Sequence, residues 1–197
     1  MNSIIQSLNN LKARVRNLSA SDAKIISTNK IPIEDEIIDF CKEPLCEDYG
    51  KSIYCPPHVM KPQRFRDLLS KYKNAIFFKI DVSTKTLLSK ERFNAFRKIY
   101  EITTELEAFA IKAGFSKSKG FAARSCKPVF CPEYQCQALI NGATCRYPDK
   151  ARPSMEAVGI NVFKLVRDVG WEIHKITKNS DPESVQKGSL TGLLLVG

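Results

Sequence analysis

The sequence predicts an α+β fold, with helices packed on a mixed or antiparallel sheet and two cysteine-rich loops set into it. Three observations carry this expectation. Helical and strand periodicities alternate irregularly along the chain, which argues against a regular parallel α/β design. Seven cysteines fall into two clusters, both in stretches punctuated by proline. With 197 residues, 43% of them hydrophobic, the chain can bury a core without covalent staples.

Taken in order, the first 21 residues contain no acid and carry Lys12, Arg14 and Arg16. Ile4, Leu8, Leu11, Val15 and Leu18 recur at helical spacing, so residues 1–22 are expected to form a retained N-terminal helical extension. No basic segment leads an apolar run here, so no secretory signal is expected. Residues 23–197 then read as a single domain. Residues 23–33 suggest a short strand. Residues 62–72 suggest a helix opened by proline, with Phe65, Leu68, Leu69 and Tyr72 inward. Residues 74–82 have the composition of a buried strand.

Residues 89–113 give the clearest helix. Phe93, Phe96, Ile99, Tyr100, Thr103, Leu106, Phe109, Ala110 and Ala113 make one stripe, and Gly114 is a stop. A stripe of this kind reads as core packing. Residues 115–123 should be extended, and residues 153–169 helical with a break at Gly159. Residues 171–177 and 190–196 read as two final strands. His174, far from the cysteines in sequence, reads as structural.

The cysteines carry the chemical signal. Cys41, Cys46 and Cys55 are separated by steps of five and nine, and so are Cys131, Cys136 and Cys145, ninety residues later. A proline, a helix and a strand follow each triad. This suggests a duplicated loop–helix–strand unit and admits ferredoxin-like pseudo-duplicated halves. Seven is odd, so a complete set of internal disulfides is excluded. In a reducing compartment, expected here to be the cytoplasm, clustered thiols point to metal.

The wide spacing, and the dipeptides Cys55-Pro56 and Cys131-Pro132, suit a [4Fe–4S] cluster better than zinc. Cys126 completes a set of four with the second triad, or crosses over to the first. The first triad then holds a second cluster with three thiolates. Its fourth position is open or filled by His58, the candidate extra ligand. Zinc remains the alternative metal, and some thiols could simply be small buried side chains.

Charge adds a partner class. The chain carries +10 overall, yet seven acids lie between Glu34 and Asp48. Between Glu107 and Glu133 only bases occur: Lys112, Lys117, Lys119, Arg124 and Lys127. This segment is either a solvated face or a dock for an acidic redox protein. No nucleic-acid motif, nucleotide-binding glycine loop or membrane-length apolar run is present.

Two segments resemble a known family. One is Cys41-Lys42-Glu43-Pro44-Leu45-Cys46-Glu47-Asp48-Tyr49-Gly50, continuing to Cys55-Pro56-Pro57. The other is Cys145-Arg146-Tyr147-Pro148, with Ala151-Arg152-Pro153-Ser154-Met155-Glu156-Ala157 after it. Together they resemble a family of predicted metal-binding proteins of uncharacterised function, over residues 24 to the C-terminus. The resemblance implies cysteine-bound metal, iron–sulfur in character, in mostly anaerobic prokaryotes. It implies no reaction, so whether the protein is an enzyme stays open. The x4 steps at Cys126, Cys131 and Cys136 are wider than the family pattern.

The residues themselves admit three functions: an electron-transfer protein, an enzyme using an open iron for sulfur or oxygen abstraction, and a zinc-stabilised interaction module. Tyr49 and Gly50 are expected to shape the first loop. Ser154 or Asp149 should cap the following turn, with Glu156 at its positive end. Arg152 is expected either to serve this turn or to hydrogen-bond cluster sulfur or an incoming carboxylate.

Overall fold

The computed structural model describes residues 2–197, with side chains from residue 4 onward. Four strands form one sheet: β1 (Asp22–Ser27), β2 (Asn74–Ser83), β3 (Lys119–Phe121) and β4 (Lys187–Val196). Their order is β1-β2-β4-β3, and every pairing is antiparallel. The fold is therefore α+β.

Period-2 alternation in the two central strands separates two cores. Ile76, Phe78, Ile80, Leu190, Leu194 and Val196 face one layer. There they meet helix α1 (Asn2–Asn17) through Leu8, Leu11 and Val15, and helix α4 (Arg92–Lys112) through Phe96, Ile99, Tyr100 and Leu106. Ala75, Phe77, Leu193 and Leu195 face the other layer. It holds Phe65 and Leu69 of α2 (Pro62–Leu69), and Val162, Leu165 and Val166 of α7 (Val162–Asp168). Three shorter helices complete the set: α3 (Thr84–Leu88), α5 (Lys127–Phe130) and α6 (Gln137–Ile140).

Several expectations need correction. Residues 171–177 form no strand. Trp171 instead stacks on Phe77, with ring centroids 5.1 Å apart, and donates its indole N–H to Asp22 at 2.8 Å. An aromatic anchor, not a ladder, holds this segment. On α4, Phe109 and Ala113 lie outside the core. Phe109 is 37% exposed, and the Arg14 guanidinium sits over its ring at 5.6 Å. The helix expected over residues 153–169 is a 3-10 turn (Glu156–Val158) and then α7, parted at Gly159. Gly159 has φ +91°, and a Cβ there would lie 2.9 Å from Pro62.

Two crossings bring the distant loops to one end of the molecule. Residues 153–155 lie alongside the end of β3: the Ala122 N–H donates to the Pro153 carbonyl at 2.9 Å, and the Met155 N–H to the Ala122 carbonyl at 3.2 Å. The entrance to the first loop pairs with the exit of the second through the Ile33–Ile160 bridge. There the Asn161 amide donates to Glu34 at 2.7 Å.

Candidate metal centre

The first loop begins where a 3-10 turn (Asp35–Cys41) ends and runs to α2. It is built from tight turns. The Cys46 N–H donates to the Cys41 carbonyl at 3.0 Å, and the Tyr49 N–H to the Cys46 carbonyl at 3.0 Å. Gly50, with φ +73°, lets its N–H reach back to the Pro56 carbonyl at 2.8 Å. Cys41 is half-buried, Cys46 exposed and Cys55 buried.

The second loop starts at β3. Cys126 precedes α5, and Cys131 follows it. The Lys127 ammonium folds back to the carbonyls of Cys131, at 2.6 Å, and Pro132, at 3.1 Å. Cys136 precedes α6, whose Gln137 amide holds the Thr144 carbonyl at 2.6 Å, next to Cys145. Cys126 is buried, and Cys131, Cys136 and Cys145 are half-buried. These four cysteines line one small cavity of about 20 Å³, with Phe130 and Tyr147 as apolar walls and Lys127 and Arg146 as cations.

The two loops meet through their cysteines. The Ser52 hydroxyl and the Cys126 thiol are 3.2 Å apart. The Cys55 thiol donates to the Ser125 hydroxyl at 3.3 Å. Burial pushes the Cys55 thiol up to about 11 and Cys126 up to about 12, partly relieved by these hydroxyls. Burial also raises Cys41, with Cys46 and Glu156 adding to it, and Cys131, with Cys145 adding to it. The thiols nearest the junction are thus protonated at neutral pH, and metal binding there would release protons.

Among the described residues, no group of three or more His, Cys, Asp or Glu side chains is gathered closely enough to hold one metal ion. The donor chemistry nevertheless fits a thiophilic metal. Four cysteines line one cavity together with Lys127 and Arg146, and soft thiolates favour iron–sulfur clusters or zinc.

The other expected site residues fall as follows. His58 is exposed and faces a different, larger cavity. Tyr49 lines a cavity of about 320 Å³ beside the first loop. Arg152 donates its Nε to Glu107 at 2.8 Å and its Nη1 to the carbonyls of Pro148 and Ala151. Its role here is to fix the exit of the second loop. Ser154 accepts from the Ala157 N–H at 3.2 Å, but the residue in the cap position of the 3-10 turn is Met155, so the expected serine or aspartate cap is not what opens it. Burial raises the Glu156 carboxyl against the pull of Ser154 and Arg124. Lys112, Lys117, Lys119 and Arg124 are exposed, with the Arg124 guanidinium over Phe96 at 5.4 Å. Lys127 is half-buried and committed to the loop.

Sequence reasoning missed Ser52, Ser125 and Glu107. The serines carry no pattern of their own. Glu107 did leave a signal: it stands four residues after Thr103 and seven after Tyr100, on the buried stripe of α4, where an acid needs a partner.

Among the described residues, no helix is long and apolar enough to cross a membrane. No curated protein and no solved structure matches the chain. Residues 24–196, which contain both loops and all of the sheet but the first two residues of β1, match the family model described as predicted metal-binding protein (DUF2284), and the chain belongs to that family.

Proposed function

We propose that this metal-binding protein is an iron–sulfur protein with a redox or electron-transfer role, carrying one or two [4Fe–4S] clusters on its two loops. The observation that carries the reading is the single cavity walled by Cys126, Cys131, Cys136 and Cys145. These four would hold one cluster, and Cys41, Cys46 and Cys55 a second. A bound cluster supplies a one-electron couple.

The chain's own residues do the rest. Lys127 and Arg146 offset the negative charge of a thiolate-bound cluster. Phe130 and Tyr147 keep water from the cavity wall. The Ser52 and Ser125 hydroxyls are in place to donate to sulfur, which raises a cluster's potential. The exposed Lys112, Lys117, Lys119 and Arg124 would dock an acidic redox partner in a reducing cytoplasm.

A second reading is favoured by one observation. The cavity of about 320 Å³ beside the first loop is lined by Tyr49, Pro56 and Pro57, neighbours of Cys46 and Cys55. It leaves room for a substrate next to a three-cysteine cluster with an open iron, the arrangement an enzyme of sulfur or oxygen abstraction needs.

Anaerobic purification with iron, sulfide and zinc analysis tests the reading. A brown protein absorbing near ~400 nm and bleached by dithionite supports it. A colourless protein holding stoichiometric zinc overturns it in favour of a zinc-stabilised interaction module. Site-differentiated iron in Mössbauer spectra would select the enzyme.

A further inference from the structure

A larger cavity, of about 430 Å³, opens between the two loops, lined by Tyr54 and His58 of the first and by Pro148, Arg152 and Pro153 of the second. Its volume is that of a small-molecule site. Val59, Leu68, Phe121 and Val158 make an apolar wall. The polar groups are few: Tyr54, His58, Lys119, and the Glu107–Arg152 pair.

That pair is internally satisfied. Glu107 accepts from Arg152 Nε at 2.8 Å and from the Gly120 N–H at 2.8 Å. Arg152 spends its remaining donors on Glu107 and on backbone carbonyls. The two charges cancel and form a fixed wall. Lys119 differs. Among the described residues its ammonium has no ion pair or hydrogen bond, and the Tyr54 hydroxyl has no hydrogen bond. The cavity's lining thus includes one lysine without an ion-pair partner, one tyrosine whose hydroxyl makes no hydrogen bond among the described residues, and an apolar body.

We propose that this cavity binds a small organic monocarboxylate with an apolar body, its carboxylate held by Lys119 and Tyr54. A neutral ligand would leave the lysine unmatched, and a cation would meet it with like charge. A polar dianion would gain nothing from the apolar wall. The proposal goes beyond the metal reading and does not depend on which metal the loops hold. His58, on the cavity's lining, is assigned here to the ligand's surroundings and not to the metal.

Calorimetric titration of the full-length protein, as purified, tests it with three probes: benzoate, benzyl alcohol and benzylamine. The expected result is saturable one-to-one binding of benzoate, with the other two much weaker. Lys119→Met and Tyr54→Phe should each weaken benzoate about tenfold. Lys175→Met, an exposed lysine outside both the cavity and the basic segment, should leave it within about twofold. Lys119 is exposed, so its replacement should not compromise folding, which circular dichroism would verify. Equal binding of benzylamine, an unchanged affinity in folded Lys119→Met, or no saturable benzoate binding at all would overturn the proposal. Because iron and zinc contents are measured on the same preparation, failure of this site and failure of the iron–sulfur reading are told apart.

Discussion

The side chains of Ser52 and Cys126 meet at 3.2 Å although 74 residues separate them. The contact has a mirror in Cys55 and Ser125, 3.3 Å apart. In each, a serine of one loop faces a cysteine of the other. The two cysteine loops are thus joined at their most buried thiols.

Removing one hydroxyl tests that junction. Ser52 is only 2% exposed, so Ser52→Ala deletes the partner of a buried thiol. A loss of about 1 kcal/mol in unfolding free energy is expected, measured by urea denaturation. Ser125→Ala should behave alike. Under the iron–sulfur reading, both should also lower the reduction potential measured by redox titration. Unchanged stability and potential in both variants would show that the contacts are incidental.

Individual cysteines should divide into two sets by metal content. Cys145→Ser is expected to empty the four-cysteine cavity while leaving metal bound to the first loop. Cys46→Ser should do the reverse. Metal analysis of the two variants and of the double variant checks this. Equal and complete loss in either single variant would mean one shared centre.

The Glu107–Arg152 pair is expected to stabilise the second loop's exit. Its side chains are 14% and 19% exposed, so little solvent screens them. Glu107→Ala strands the arginine and frees the Gly120 N–H. The expected cost is about 2–3 kcal/mol, somewhat below that of a fully buried pair. Replacing both residues by methionine should recover part of it, as read from denaturation midpoints.

Acid should loosen the attachment of Trp171. Burial raises the Asp22 carboxyl, but hydrogen bonds from Arg16, the Ala23 N–H and the Trp171 indole outweigh it and hold the group below 3.8. A depressed carboxylate contributes its full stability above the ordinary value and loses it as pH falls through the folded one. Asp22→Asn should therefore flatten the acid limb of the stability curve below about pH 4, with little change in that limb's slope above it. Urea midpoints across pH would decide.

Gly192 should tolerate no side chain. It faces Phe78 across the central pair β2–β4, and a Cβ would lie 2.3 Å from the Phe78 ring. Phe78 is fully buried and has nowhere to move. Gly192→Ala is expected to cost about 3 kcal/mol. Shrinking the ring in Phe78→Leu/Gly192→Ala should cost less than the two changes added. Additive costs would place the strain elsewhere.

Much of the fold was legible because periodicity reports burial. Leu8, Leu11 and Val15 on α1, and Phe96, Ile99, Tyr100 and Leu106 on α4, are where helical spacing places them. Residues 171–177 misled for a physical reason. Alternating Trp171 and Ile173 resemble a strand, but both pack onto the core from a coil, anchored by one ring and one indole N–H. Phe109 misled too, since its apolar ring is occupied by Arg14 from another helix.

For the candidate site, the sequence by itself determined the donor chemistry. Seven cysteines against two histidines, in proline-punctuated segments, make thiols the expected donors for the metal binding that the family carries. Spacing also grouped six of them into two triads, with Cys126 assignable to either. Only the tertiary structure decided what lies between them. The Ile33–Ile160 bridge, between segments more than a hundred residues apart, and the run of residues 153–155 beside β3 bring the two loops to one end of the sheet. That proximity creates the serine–cysteine junction, the Glu107–Arg152 wall and the cavity holding Lys119 and Tyr54. Apart from Glu107, whose place on the buried stripe of α4 marks an acid in need of a partner, none of these has a local spacing to announce it, because each partner is set by packing between layers and not by its neighbours in the chain.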